Sequence, residues 1–184
     1  MGFVNQRNYS TEAIILATKD YSEADRILVV YTKDFGKLSL IAKGVRKTTS
    51  KKRGHLEIFN YLKFSAVKSK GLDIMIEADL INSFPKIRKN LKKISVGYYF
   101  CEVIGKITKE EEKHPGFFEF IIAYFLRLEK ENNLKSLRIS FIKDLVINLG
   151  YWPKGKEIVN PDRLLETVIE RNINSSRVGK RILE

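Results

Sequence analysis

The sequence predicts an α+β chain in two parts, a five-stranded barrel followed by an all-helical region. Three observations carry that prediction. Over residues 1–82, apolar side chains alternate with polar ones or gather in short β-branched runs between turn signals. From residue 83 to residue 184 their spacing becomes three and four, that of a helix face. The texture changes abruptly at Phe84-Pro85.

Taken in order, Glu12 to Thr18 (EAIILAT) is rich in strand formers, and Asp20 to Asp25 (DYSEAD) is a polar break. Arg26 to Thr32 (RILVVYT) is a second strand. Lys33-Asp-Phe-Gly36 makes a tight loop, with Gly36 supplying a positive φ. Leu38, Leu40 and Ala42 then share one face of a third strand that completes the hairpin. Residues 44–54 (GVRKTTSKKRG) contain no acid and read as an exposed loop. Leu56, Ile58, Leu62, Phe64 and Ala66 share one parity and predict a fourth strand with one buried face. After the turn at Ser69-Lys70-Gly71, Leu72 to Ile81 gives a fifth, with Leu72, Ile74 and Ile76 in phase. Five antiparallel strands in about 70 residues fit a small closed barrel, either the OB-fold or an SH3-like barrel of similar strand economy.

In the helical part, Leu91, Ile94, Tyr98 and Cys101 form one stripe, broken by His114-Pro-Gly and resumed from Phe117 to Leu128. Leu134, Leu137, Phe141, Leu145 and Leu149 form another, stopped by Gly150 and Pro153. Asn160-Pro161-Asp162 is a helix start, with Asn160 as its cap and Leu164, Leu165, Val168 and Ile169 continuing it.

Composition narrows the function classes. The 184 residues are 43% hydrophobic and 11% aromatic, which supports folded cores. A single cysteine, Cys101, excludes an intrachain disulfide and a cysteine-based zinc site, and fits a reducing compartment. The first ten residues lack the apolar core of a secretory leader, and the longest apolar run, Phe120 to Leu126, is too short to span a membrane. A cytoplasmic, nucleoid-associated location is expected. With 34 Lys and Arg against 22 Asp and Glu, the net charge is +12, which favours a polyanionic partner.

Catalytic chemistry finds no foothold. Gly150 to Lys156 resembles the start of a phosphate-binding loop, but Glu157 replaces the magnesium-holding hydroxyl and Pro153 removes an amide, so the segment reads as a helix stop. His55 and His114 lie far apart and read as structural, and Glu23 and Asp25 as loop acceptors. Glu110-Glu111-Glu112 reads as a solvated helix end, and Cys101 as a buried, inert thiol. No enzyme activity, metal or cofactor is expected.

Binding chemistry is plentiful. Lys43, Arg46, Lys47, Lys51, Lys52 and Arg53 place six cations in eleven residues, with hydroxyls at Thr48, Thr49 and Ser50 between them. Such a loop suits phosphate oxygens, with affinity falling steeply in salt. A second cluster comprises Lys86, Arg88, Lys89, Lys92 and Lys93, with Lys89, Lys92 and Lys93 expected on one helical face. Phe35, at the hairpin tip, is the candidate platform for stacking an unpaired base, Phe64 belongs to the core, and Phe59 and Tyr61 face the opposite side, where packing is expected.

Four segments carry a family likeness: Glu12-Ala-Ile-Ile-Leu16, Tyr21-Ser-Glu-Ala-Asp-Arg26, Thr32-Lys-Asp-Phe-Gly36-Lys37 and Ala42-Lys-Gly-Val-Arg46-Lys47. In order and spacing they resemble the RecO family of bacterial recombination mediators, over about the first 55 residues. The resemblance implies an N-terminal OB-fold (residues 1–82) and a helical C-terminal domain (residues 83–184). It implies binding of single- and double-stranded DNA and annealing of complementary strands. It further implies partnership with RecR, contact with the acidic C-terminal tail of single-stranded DNA-binding protein (SSB), and loading of RecA. By matching position, Lys37, Lys43, Arg46 and Lys47 take the family's basic barrel places, and Gly36 and Gly44 its turn glycines. The match departs from the family in two ways: Tyr151 to Asn160 stands where many relatives carry a four-cysteine zinc module, and the C-terminus is shorter than in most.

The expected function is that of a DNA repair mediator without catalysis. The expected DNA-contacting residues are Lys37, Lys43, Arg46, Lys47, Lys51, Lys52, Arg53, Arg88, Lys89 and Lys92, with Phe35 stacking. The alternatives are a generic RNA-binding barrel protein and an adaptor for acidic protein tails.

Overall fold

The computed structural model of the chain describes residues 8–50 and 54–169. Strands β1 (Asn8–Tyr21), β2 (Asp25–Thr32), β3 (Gly36–Ala42), β4 (Tyr61–Val67) and β5 (Asp73–Asn82) close into a barrel in the order β1-β2-β3-β5-β4. Consecutive strands β1, β2 and β3 pair antiparallel through tight turns, and β4 pairs antiparallel with both β1 and β5. Closure comes from β3 and β5, which run parallel and meet through Leu40–Asp73 and Ile41–Ile74. The expected all-antiparallel pairing is corrected by this one seam. It gives the Greek-key closure of an OB-fold, in place of the SH3-like alternative.

Alternation fills the barrel. Ala13, Ile15, Leu28, Val30, Leu40, Ala42, Leu62, Phe64, Ala66, Met75 and Ala78 point inward, large beside small, as a narrow barrel requires. Val45 and Leu56 join this interior from the β3–β4 connection and plug one end. Leu56 and Ile58 therefore share the parity of β4 without belonging to it, because residues 54–59 are turns and the strand starts at Tyr61. The phase of β5 also differs from expectation. Met75 and Ala78 are buried while Leu72 and Ile76 are exposed; Ile76 is an extra β5 residue opposite the Ser65–Ala66 step of β4, and the inward parity changes across it.

The second part is helical: α1 (Pro85–Arg88), α2 (Leu91–Ile107), α3 (Phe117–Lys130), α4 (Leu134–Asn148) and α5 (Pro161–Val168). Asn90, Asn133 and Asn160 each cap a helix by accepting a backbone N–H from the third residue on, at Lys93, Ser136 and Arg163. The core stacks Phe100 on Phe141 at 4.0 Å, with Tyr124 and Phe125 edge-on to Phe100. On α2 the buried face is Val96, Tyr99, Phe100, Val103 and Ile104, whereas Leu91 and Tyr98 are exposed. The expected stripe is thus rotated by about one residue; only Cys101 of that set is buried outright. A bidentate ion pair from Arg138 to Asp162, at 2.6 and 3.0 Å, ties α5 to α4.

The chain divides into two compact units, with the first break between Ser83 and Phe84. The barrel unit also includes Glu110–Lys113, from the α2–α3 connection, so the chain passes between units three times. This corrects the expectation that Glu110-Glu111-Glu112 is a solvated helix end. Helix α2 stops at Ile107, and the acidic run lies along the barrel instead. Glu110 pairs in parallel with Lys37, the Glu111 N–H donates to the Lys37 carbonyl at 2.8 Å, and Ser39 Oγ donates to Glu110 Oε1 at 3.0 Å.

Candidate nucleic-acid interface

The basic loop begins where β3 ends, and its first half is held rigidly. Val45 is sunk in the barrel core, which anchors the cations on either side of it. The Gly44 N–H donates to Asp25 Oδ1 at 2.8 Å, and the Arg46 N–H to the Ala24 carbonyl at 2.9 Å. Gly44 has a φ of 66°, and its N–H and carbonyl are both engaged, the latter accepting from the Lys47 N–H. Asp25 is therefore a loop acceptor, as its sequence position predicts. With the loop fixed in this way, Lys43, Arg46 and Lys47 project outward and are exposed.

These cations are not equivalent. Arg46 donates to the Ser22 carbonyl at 3.0 Å and lies 3.5 Å from Asp20, which also accepts from Arg26. Part of its bonding capacity positions the loop. Lys43 and Lys47 form no ion pair among the described residues, so their charge faces solvent. Lys51, Lys52 and Arg53, predicted to share this surface, lie outside the described residues.

Lys37 is half-buried near the start of β3, beside Glu110. Burial lowers its pKa, and the Glu110 carboxylate opposes part of that shift. Arg88 ends α1, Lys89 follows it, and Lys92 sits in the first turn of α2; all three are exposed. The expected single face of Lys89, Lys92 and Lys93 is corrected. Lys89 precedes α2, and Lys93 is buried, its ammonium donating to the Glu129 carbonyl at 2.8 Å. There a cation meets the negative end of α3, a favourable match to the helix dipole.

Phe35 stands apart from the basic loop. It precedes β3 whereas Lys43 follows it, so a strand of seven residues separates them by about 20 Å. The hairpin tip is nonetheless well fixed. The Phe35 N–H donates to Thr32 Oγ1 at 2.9 Å, Thr32 Oγ1 donates to the Gly36 carbonyl, and Thr11 Oγ1 donates to Asp34. Phe35 meets the Tyr9 ring edge-on at 5.0 Å. Of the other aromatics, Phe64 is core, Phe59 is buried and Tyr61 donates its hydroxyl to Glu12. None of these three presents an open ring.

Beside Phe35 lies a cavity of about 290 Å³. Tyr9, Phe35 and Leu38 form its apolar lining, Asp34, Asp73 and Glu111 its acidic lining, and Lys68 and Lys113 its basic one. Sequence reasoning singled out Phe35 alone among these. The cavity draws on β1, the β2–β3 tip, the β4–β5 turn and the docked acidic segment, so its parts have no spacing in common. His55 Nδ1 donates to the Ala78 carbonyl at 3.0 Å, a structural role. Among the described residues no helix is long and apolar enough to cross a membrane, and no group of three or more His, Cys, Asp or Glu could hold a metal ion.

Comparison with known proteins accords with this architecture. Residues 6–84 match the family model for the N-terminal part of recombination protein O, and residues 88–160 match that for its C-terminal part. DNA repair protein RecO of Dehalococcoides mccartyi is 33% identical over 162 residues, covering 88% of this chain and 64% of that protein. The RecO protein of Pelotomaculum thermopropionicum is 31% identical over 145 residues (79% and 56%), and that of Geobacter sulfurreducens 33% over 140 (76% and 58%). The chain thus spans roughly three-fifths of the length of these curated relatives. With both family models matched in sequence order over a barrel and a helical part, the chain belongs to the RecO family.

Proposed function

We propose that this chain acts in DNA repair as a non-enzymatic mediator that binds single- and double-stranded DNA and anneals complementary strands. The observation that carries this reading is the β3–β4 loop, in which Val45 and the Asp25–Gly44 hydrogen bond hold Lys43, Arg46 and Lys47 outward on a chain of net charge +12. Lys51, Lys52 and Arg53 continue that charge in sequence. Residues 1–82 are the main DNA-binding part, and residues 83–184 receive partners and add DNA contacts of their own at Arg88, Lys89 and Lys92. Two phosphate backbones lying on one cationic surface repel each other less, so complementary bases meet and pair without ATP or metal. In this reading RecR and the SSB tail are partners, and RecA is loaded as the outcome.

The test is annealing of complementary DNA single strands, bare and SSB-coated, with chelator and without ATP. Faster annealing of both is expected; no acceleration of bare strands overturns the reading. Replacing Arg46, Lys47, Lys51 and Lys52 by glutamine should flatten the dependence of log K on log salt by about 3, at ~0.7 per lost phosphate contact on a single strand. An unchanged slope removes the loop from the interface. Stronger binding of RNA than of DNA of the same sequence would favour the RNA-binding alternative.

A further inference from the structure

The cavity at the Phe35 end of the barrel is chemically unlike the basic loop. We infer that it seats one unpaired nucleobase, with preference for a base that carries an exocyclic amino group; this rests on the DNA-binding reading above and adds a base-reading site to it. At about 290 Å³ the cavity lies at the small end of ligand pockets, suited to a single flat ring system rather than a cofactor. Its apolar wall is a ring pair held in place before any ligand arrives. Phe35 is fixed through Thr32, and the Tyr9 hydroxyl donates to Asp73 Oδ2 at 2.8 Å. The edge-on contact with Tyr9 occupies at most one face of Phe35, which is 39% exposed. An aromatic face free on a rigid turn is the platform on which an unpaired base stacks.

The polar lining sets the preference. Asp34 accepts from Thr11 through Oδ2, and Asp73 accepts from Tyr9 and from the Ser69 N–H. Asp34 Oδ1 and the Glu111 carboxylate accept no hydrogen bond among the described residues. Carboxylates accept from amino groups, so they suit cytosine, adenine and guanine and disfavour the O4 acceptor of thymine. A base is neutral and is not repelled by them. Its flanking phosphates are matched by Lys68 and Lys113, neither of which forms an ion pair among the described residues. Those two cations disfavour a partner's arginine or lysine as the occupant. The span of about 20 Å from the basic loop suits one strand crossing the barrel, within the four to sixteen or so nucleotides an OB-fold covers.

Binding of the full chain to oligo-dC, oligo-dT and an abasic strand of equal length tests this by fluorescence anisotropy. The wild-type chain should hold oligo-dC most tightly and the abasic strand least. Phe35→Ala should lower oligo-dC affinity roughly 5- to 150-fold, towards the abasic value, and Phe35→Trp should restore it. Equal wild-type affinity for oligo-dC and the abasic strand overturns the base seat and leaves phosphate binding standing. A dC preference that survives Phe35→Ala places base reading elsewhere and overturns it too. Absence of binding to all three strands removes the DNA-binding reading itself. Competition between oligo-dC and an arginine-bearing peptide that depends on Phe35 would reassign the cavity to a protein cation.

Discussion

Replacing Gly36 by alanine, and separately Gly44 by alanine, divides two penalties that usually come together. Both glycines adopt a left-handed backbone, with φ of 72° and 66°, so both substitutions incur roughly 1–2 kcal/mol of conformational strain. Their surroundings differ. A Cβ at Gly44 would have the Lys47 Cδ as its nearest neighbour, at 3.9 Å, which is ordinary contact. A Cβ at Gly36 would lie 2.2 Å from the Glu112 carbonyl oxygen and 2.6 Å from its carbon. Relief requires Glu110–Lys113 to move by about 1 Å, since carbon and oxygen sit no closer than roughly 3.3 Å. That movement loses the Glu111 N–H to Lys37 hydrogen bond and weakens the Ser39–Glu110 contact, each worth about 1 kcal/mol or less. Gly36→Ala should therefore destabilise by about 2–4 kcal/mol and exceed Gly44→Ala by about 1–2. Urea denaturation of the two variants measures the difference, and trypsin cleavage after Lys109 and Lys113 reports release of the segment. If the two variants are equally stable and cleavage is unchanged, the close approach at Gly36 is not as described.

The helical part and the titrating groups give further tests. Asp162→Asn strips the buried Arg138 guanidinium of its bidentate partner, and should cost about 2 kcal/mol by thermal denaturation, below the value for a fully buried pair because Asp162 retains some exposure. Burial pushes the Cys101 thiol well up from its ordinary value, so a thiol reagent should label it no faster than the chain unfolds. The phenols of Tyr9, Tyr99 and Tyr124 are all raised above the ordinary 10.0, chiefly by burial. As pH climbs past 10.0 the unfolded chain loses these protons first, so folded stability should fall from there upward. A phenolate absorbance titration should show Tyr9, Tyr99 and Tyr124 ionising only with unfolding, and Phe substitution at each identifies its share of the signal; their ionisation before unfolding would refute this.

Particular residues show why some of this was legible in sequence and some was not. Gly36 marked its turn because a positive φ leaves few alternatives, and Asn160-Pro161 marked a helix start for the same local reason. Leu72 and Ile76 misled because the inward parity of β5 changes at a bulge in β5 itself, with Ile76 the extra residue, and a bulge leaves no trace in composition. Leu91 and Tyr98 misled because apolar residues on α2 are spaced to satisfy two adjacent faces, and only packing chooses between them. The docking of Glu110 on Lys37 joins positions 73 apart in the chain and lies beyond any local pattern. The cations of the candidate interface were readable as charge. Their arrangement was not, since the anchoring of Val45 in the core is what holds Lys43, Arg46 and Lys47 outward.

The return of Glu110–Lys113 to the barrel unit also sets a timetable for synthesis. A ribosome releases Ser83 well before Lys113, and at about 5–20 residues per second the 30 residues between them take roughly 2–6 s. During that interval the five strands have emerged but the backbone that lies against Gly36 and Lys37 has not. The nascent barrel spends those seconds with the outer edge of β3 uncovered, and an edge of that kind invites pairing with another chain. A gene truncated after Ser83 would make that transient state permanent.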